Sequence, residues 1–75
     1  MELNDFIAAF AAEFDDTPEE EFKADTEFKA LDEWSSLTAL SIIAMVDEQM
    51  DKTITGADIR ASKTIEDLYN LAESK

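Results

Sequence analysis

The apolar residues near the start of the chain recur at helical spacing. Spacings of three or four residues connect Leu3 to Phe6 and Ile7, these two to Phe10, and Phe10 to Phe14. This spacing places the five side chains along one side of an α-helix of about four turns. The acidic pair Asp15–Asp16, followed by Thr17–Pro18, predicts the end of this first helix.

The most regular helical pattern begins at a serine pair in the middle of the chain. Either Ser35 or Ser36 can cap a helix that continues to about Met50. One side of this helix carries an apolar stripe that predicts a core-facing surface. The stripe consists of Ala39, Ile42, Ile43, Val46 and Met50.

Two shorter helices are predicted after the serine-capped helix. Thr55 with Asp58, and then Thr64 with Asp67, have the spacing of a capping residue followed by an acid three positions later. The first of these helices is short and carries Ile59. The second places four side chains on one side: Ile65, Leu68, Tyr69 and Ala72.

The segment between the first helix and the serine pair has no clear period. Thr17–Glu20 resembles a helix start, with Thr as the cap and Pro at the first position, and either a single turn or an irregular loop fits it. Large apolar residues then predict a long loop held against the core: Phe22, Phe28, Leu31 and Trp34. The expected fold is all-α, a small four-helix bundle with three main helices, a short third helix and a long first loop. It forms a single domain over residues 1–75.

The composition narrows the classes of function. The chain has 75 residues with 19 acidic and 6 basic side chains, a formal charge of −13, and neither histidine nor cysteine. Serine–histidine catalysis, thiolate chemistry and Cys- or His-based metal sites are therefore excluded, and we expect neither enzymatic activity nor a metal site. A surface this acidic repels nucleic acids and anionic membranes. The absence of a leader pattern, of long apolar runs and of disulfides favours a soluble cytoplasmic protein.

A second apolar strip lies on the serine-capped helix, nearly opposite its core stripe. Leu37, Leu40 and Ala44 form this strip at about 100° per residue. Four acids flank it: Asp32, Glu33, Asp47 and Glu48. An apolar strip with an acidic rim is typical of a docking surface, although isolated exposed apolar residues are common on soluble proteins.

The order of residues around the serine pair resembles that of the acyl carrier proteins. The stretch Asp25–Leu31 is followed by Ser35-Ser36-Leu37 at the start of an amphipathic helix. Acyl carrier proteins have a Thr, an apolar pair and then Asp-Ser-Leu, in which the serine receives 4′-phosphopantetheine. Length, acidity, the helix pattern, the long first loop and the short third helix extend the resemblance over nearly the whole chain.

The resemblance implies that Ser36 is the attachment residue. Leu37 follows Ser36, as in the family motif, and Ser35 is then free to cap the helix. Ser35 replaces the aspartate that usually precedes the modified serine. Thr38 and Ser41 stand where many members have acids on the docking face, so partner recognition is expected to be unusual.

The family's mechanism implies the remaining expectations. A phosphopantetheinyl transferase loads the arm from coenzyme A, and acyl groups travel on it as thioesters. Partner enzymes of fatty acid or related polyketide and specialised lipid biosynthesis bind the acidic face through basic patches, and the carrier is expected to be a monomer. An acyl chain in such carriers enters between the helices, although mutual packing is the simpler explanation for the residues concerned. These residues are Ile42, Ile43, Val46, Ile59, Ile65 and Leu68.

The acidic composition suggests two other functions, of which the second lacks its sequence motif. One is a small interaction or inhibitor protein that docks on a basic surface without covalent modification. The other is calcium binding, but no segment has the carboxylate spacing and the glycine of a calcium-binding loop.

Overall fold

The chain folds into four α-helices and two short 3₁₀ turns in the computed structural model, which describes residues 1–75. In chain order the helices are α1 (Leu3–Ala11), α2 (Ser36–Met50), α3 (Gly56–Ala61) and α4 (Ile65–Glu73). The two 3₁₀ turns, Glu19–Glu21 and Phe28–Ala30, both lie between α1 and α2. No strand is present, and the predicted all-α bundle with a long first loop and a short third helix is confirmed.

The first helix ends earlier than predicted. α1 stops at Ala11 because the amides of Glu13 and Phe14 bond to carbonyls three residues back, those of Phe10 and Ala11, at 3.1 and 3.0 Å. The chain thereby tightens into a turn. Phe14 is still buried, so the apolar spacing correctly identified a core residue but overestimated the length of the helix.

The short turn after α1 forms, but not as the sequence suggested. It covers Glu19–Glu21 and is preceded by Pro18, so the proline lies just before the turn and not at its first position. Thr17 does not cap this turn, since its hydroxyl donates a hydrogen bond to the side chain of Glu33.

Aromatic rings occupy the centre of the core. The ring centroid of Phe10 lies 5.4 Å from that of Phe28, 5.6 Å from that of Phe14 and 6.1–6.2 Å from those of Phe6 and Phe22. Three of these five rings, those of Phe14, Phe22 and Phe28, come from the segment between α1 and α2. The expectation that this loop is held against the core is therefore confirmed.

The same loop also completes the start of α4. The amides of Ile65 and Glu66 have no partner within a helix that begins there. They donate to the carbonyls of Thr26 and Ala24, at 3.1 and 3.0 Å. The long loop therefore supplies backbone acceptors to α4 as well as aromatic side chains to the core.

Side-chain caps define the N-terminal starts of α2, α3 and α4. Ser35 caps α2, and the predicted capping boxes of Thr55 with Asp58 and of Thr64 with Asp67 are both present. α2 ends at Met50 and is followed by Asp51, whose φ of 55° lies in the left-handed region and whose amide bonds to a carbonyl of the last turn. None of the helices combines the length and apolar character needed to cross a bilayer.

Candidate functional site

The hydroxyl of Ser35 makes two hydrogen bonds at the start of α2. Its Oγ accepts a hydrogen bond from the amide of Thr38 at 3.3 Å. The Thr38 hydroxyl donates to the carbonyl of Glu33 at 3.1 Å, so it can only accept in its 3.2 Å contact with Ser35. Ser35 therefore both accepts and donates, and its role is to hold the first turn of the helix.

Ser36 differs from its neighbour in this respect. It is the first residue of α2 and, like Ser35, is exposed. Its side chain takes part in none of the hydrogen bonds that join Ser35, Thr38 and Glu33. The first turn of α2 contains no acidic residue, so an anion attached to Ser36 meets the positive end of the helix dipole without a carboxylate in that turn.

Glu33, three residues before Ser36, is placed differently from the prediction. It was expected in the acidic rim of the docking strip, but its carboxylate accepts from three successive amides, those of residues 15–17, at 2.9, 3.1 and 2.9 Å. It also accepts from the Thr17 hydroxyl at 2.7 Å. This hydroxyl, together with the amides, lowers the pKa of Glu33 below its ordinary value despite partial desolvation. The carboxylate is turned toward the loop that follows α1.

The remaining residues of the predicted strip lie on the outer side of α2. Leu37 is 74% exposed and Leu40 is 62% exposed. The other members, Ala44, Asp47 and Glu48, are exposed on the same side, and Asp32 is exposed just before the helix. Two large apolar side chains so close together on a small charged protein form a surface that a partner can cover.

The six predicted acyl-pocket residues belong to the packed core or border it. Ile43 is half-buried, and the other five, Ile42, Val46, Ile59, Ile65 and Leu68, are buried. None of the six lines any of the three surface clefts. In this structure they belong to, or pack against, one hydrophobic core cluster.

Three features of the site were not found from the sequence. Met45 is buried although it was not assigned to the core stripe of α2. The Thr38 hydroxyl joins the cap, and a Ser followed by Thr three residues later was an available signal for this contact. The bonds of Glu33 to residues 15–17 had no such signal, because these partners are distant in the sequence. No group of three or more carboxylates is arranged to hold a metal ion.

Trp34 lies between the loop and the core. Its ring centroid is 6.4 Å from that of Phe14, in a stacked arrangement, and 5.0 Å from that of Phe28, edge to face. These contacts anchor the residue just before the serine pair.

Comparison with known proteins identifies one family. The family model described as a phosphopantetheine attachment site matches residues 5–72. This match includes the serine pair, the loop before it and nearly all of the four helices. No curated protein and no solved structure matches the chain.

Proposed function

The chain belongs to the phosphopantetheine attachment family, and from this membership we propose that it is an acyl carrier protein with its arm on Ser36. Members of this family carry 4′-phosphopantetheine covalently and act as carriers. The arm supplies a terminal thiol on which acyl groups are held as thioesters, a chemistry for which this cysteine-free chain has no side chain of its own.

The difference between the two serines supports Ser36 as the attachment residue. The hydroxyl of Ser35 both donates and accepts within the cap, and modifying it would remove the proton that it donates to the Thr38 hydroxyl. Both serines are exposed, but the side chain of Ser36 is outside this network. Its position also suits a phosphodiester, because the start of a helix presents backbone N–H groups and a positive dipole end.

The loading reaction uses only the hydroxyl of Ser36. A phosphopantetheinyl transferase would join the Ser36 Oγ to the phosphopantetheine phosphate of coenzyme A. The bond between this phosphate and the adenylate part breaks, adenosine 3′,5′-bisphosphate leaves, and the hydroxyl proton is released. The carrier presents the oxygen, and the transferase performs the catalysis.

The exposed face of α2 is the proposed contact surface for the transferase and for acyl-handling enzymes. Leu37 and Leu40 provide its apolar part, while Asp32, Asp47 and Glu48 provide charge for basic patches on a partner. Thr38 and Ser41 are neutral, so the start of this face depends on apolar contact more than on charge. Glu33 is omitted because its carboxylate is engaged within the chain.

The cargo is proposed to be a fatty acyl group or a related polyketide or specialised lipid intermediate, carried by a monomer in the cytoplasm. The strong negative charge and the resemblance to acyl carrier proteins support this choice. An acyl chain that entered the bundle would have to separate the packed aliphatic side chains around Ile42 and Leu68, both of which are buried.

The proposal is tested by intact-mass analysis after incubation with coenzyme A, Mg²⁺ and a broad-specificity phosphopantetheinyl transferase. The wild type is compared with Ser36→Ala and with Ser35→Asp, which retains a side chain able to cap the helix. We expect the mass of one phosphopantetheine on the wild type and on Ser35→Asp, and none on Ser36→Ala.

Two results would contradict the proposal. Loading of Ser36→Ala would move the attachment site away from Ser36. No loading of confirmed unmodified wild type would favour the acidic interaction protein that acts without covalent modification.

A further inference from the structure

Glu33 connects two parts of the chain that are distant in sequence. Its carboxylate accepts four hydrogen bonds from residues 15–17, at the end of the turn after α1. Its carbonyl oxygen accepts from the Thr38 hydroxyl in the first turn of α2. One residue therefore ties the loop after α1 to the start of the helix that carries Ser36.

The convergence of three successive amides on one carboxylate is a specific arrangement. Backbone N–H groups that point to a common centre form an anion-binding concavity, and here the chain's own carboxylate fills it. Hydrogen bonds to an ionised acceptor are about twice as strong as neutral ones. Asp16, Glu21 and Asp32 line the same cleft as Glu33, so no cationic side chain of the cleft could replace these donors as a partner for the carboxylate.

The segment from Glu33 to Thr38 is held at three successive points. Glu33 is bound to the loop after α1, Trp34 packs on Phe14 and Phe28, and Ser35 is bound to Thr38. Ser36 itself makes none of these contacts and lies between Ser35 and Thr38, which are joined by a hydrogen bond. Its orientation therefore depends on the residues on either side.

We propose that Glu33 is a positioning residue for the loading of Ser36. By binding the amides of residues 15–17, its carboxylate holds the segment before α2 in one arrangement and presents the Ser36 hydroxyl to the transferase in one orientation. This inference depends on the proposed carrier function. It assigns Glu33 a role in the reaction rate and not in partner binding, because its carboxylate is engaged by the amides of residues 15–17.

The inference is tested by steady-state kinetics of phosphopantetheine loading by a broad-specificity transferase. Coenzyme A and Mg²⁺ are present, and the concentration of the unmodified protein is varied. Glu33→Gln preserves the shape of the side chain but replaces one acceptor oxygen by an NH₂ group. This group cannot accept the hydrogen bonds that the backbone amides of residues 15–17 donate. We expect kcat to fall about tenfold, with KM within about twofold of the wild type, since small displacements of a reacting group have large effects on rate.

The matched control is Glu20→Gln, which makes the same chemical change at an exposed residue that makes none of these contacts. We expect both of its kinetic parameters to equal those of the wild type. Thr17→Val is the second test variant, since it removes the hydroxyl donor to Glu33 and leaves the carboxylate and the amides in place. Its kcat should fall by a smaller factor, about threefold. All rates are measured well below the melting temperatures of the variants.

Several outcomes would overturn the inference. A folded Glu33→Gln variant with the kcat of the wild type would show that the contact only stabilises the fold. A raised KM with unchanged kcat would place Glu33 in partner docking. If Glu33→Gln does not fold, an unchanged kcat in folded Thr17→Val is the overturning result. Failure of the proposed function is distinguishable, because the wild type itself would then not be loaded on Ser36.

Discussion

Glu33 shows how one carboxylate can organise a segment without any ion pair. All four of its hydrogen bonds come from uncharged donors, three backbone amides and the Thr17 hydroxyl. These donors favour the ionised form and lower the pKa of Glu33 in the folded state. The unfolded chain lacks these donors, so it binds the Glu33 proton more tightly than the folded chain does.

The stability that Glu33 contributes should therefore depend on pH. The contribution is fully present above the unfolded pKa, which is about 4.3, and is lost as the pH falls through the lower folded pKa. We expect wild type and Glu33→Gln to differ most in unfolding free energy at neutral pH, and the difference to shrink below about pH 4.3. Urea denaturation from pH 7 to pH 3 measures it.

The control for this titration is again Glu20→Gln, which removes one exposed charge. Its difference from the wild type reports the general effect of losing a negative charge. A Glu33→Gln difference that is independent of pH, or that follows the control, would contradict the assigned role of the carboxylate.

At individual positions, the sequence was informative where neighbours in the helix determine the environment. Leu37 and Leu40 were predicted to face outward, and both are exposed, because the helical period alone sets the side of α2 on which they lie. Glu33 precedes the helix, and its partners lie 16–18 residues earlier in the chain. No local pattern encodes such a contact, so its side chain was assigned to the wrong surface.

At the scale of elements, α3 and α4 depend on their caps. They contain only 6 and 9 residues, and helices this short are marginal in isolation. In α4 the Thr64 hydroxyl accepts from the amide of Asp67 at 3.1 Å, and the Asp67 carboxylate accepts from the amides of Thr64 and Lys63. These two amides lower the pKa of Asp67.

Removal of the α4 cap should destabilise the protein measurably. Thr64→Ala leaves the amide of Asp67 without its side-chain acceptor, and we expect a loss of about 1 kcal/mol in unfolding free energy. The matched control is Thr53→Ala, at an exposed residue that lies outside every helix. Chemical denaturation of both variants tests the prediction, and equal losses would mean that the cap contributes nothing specific.

The capping boxes were predictable because each is contained within four consecutive residues. The course of the loop after α1 was not, since it is set by contacts across the bundle. The carbonyls of Ala24 and Thr26 bind the first amides of α4, about 40 residues farther along the chain. Such hydrogen bonds depend on how the distant segments pack, so the spacing of residues along the sequence does not predict them.

At the scale of the whole molecule, negative charge is concentrated in a small volume. A formal charge of −13 is carried by a body measuring 29 × 24 × 20 Å. The one ion pair joins Lys75 to Asp58 at 2.9 Å. Most of the acidic side chains are therefore balanced only by solvent ions, and their mutual repulsion opposes the compact state.

Salt should raise the melting temperature for this reason. The screening length is about 30 Å at 0.01 M ionic strength and about 8 Å at 0.15 M, so repulsion acts across the whole molecule only in the first case. We expect a continuous rise in melting temperature with NaCl over this range, measured by circular dichroism. Glu20→Lys, which replaces an exposed negative charge by a positive one, should show a smaller rise. Melting that is independent of salt would contradict this account.

The all-α fold class could be predicted because the composition and the periodicity of apolar residues both indicate helices. One glycine, one proline and apolar residues at helical spacing leave helices as the only regular elements. The burial of Phe22 and Phe28 in the core was also predictable, because large apolar side chains are unfavourable in solvent. Both residues are buried.

The place of Trp34 has an experimental consequence. The chain contains a single tryptophan, and it packs between Phe14 and Phe28 two residues before Ser36. The intrinsic fluorescence of the protein excited at the red edge of its absorption therefore originates at one point, beside the proposed attachment serine. The protein carries its own optical reporter for events at the start of α2, and no label has to be introduced there.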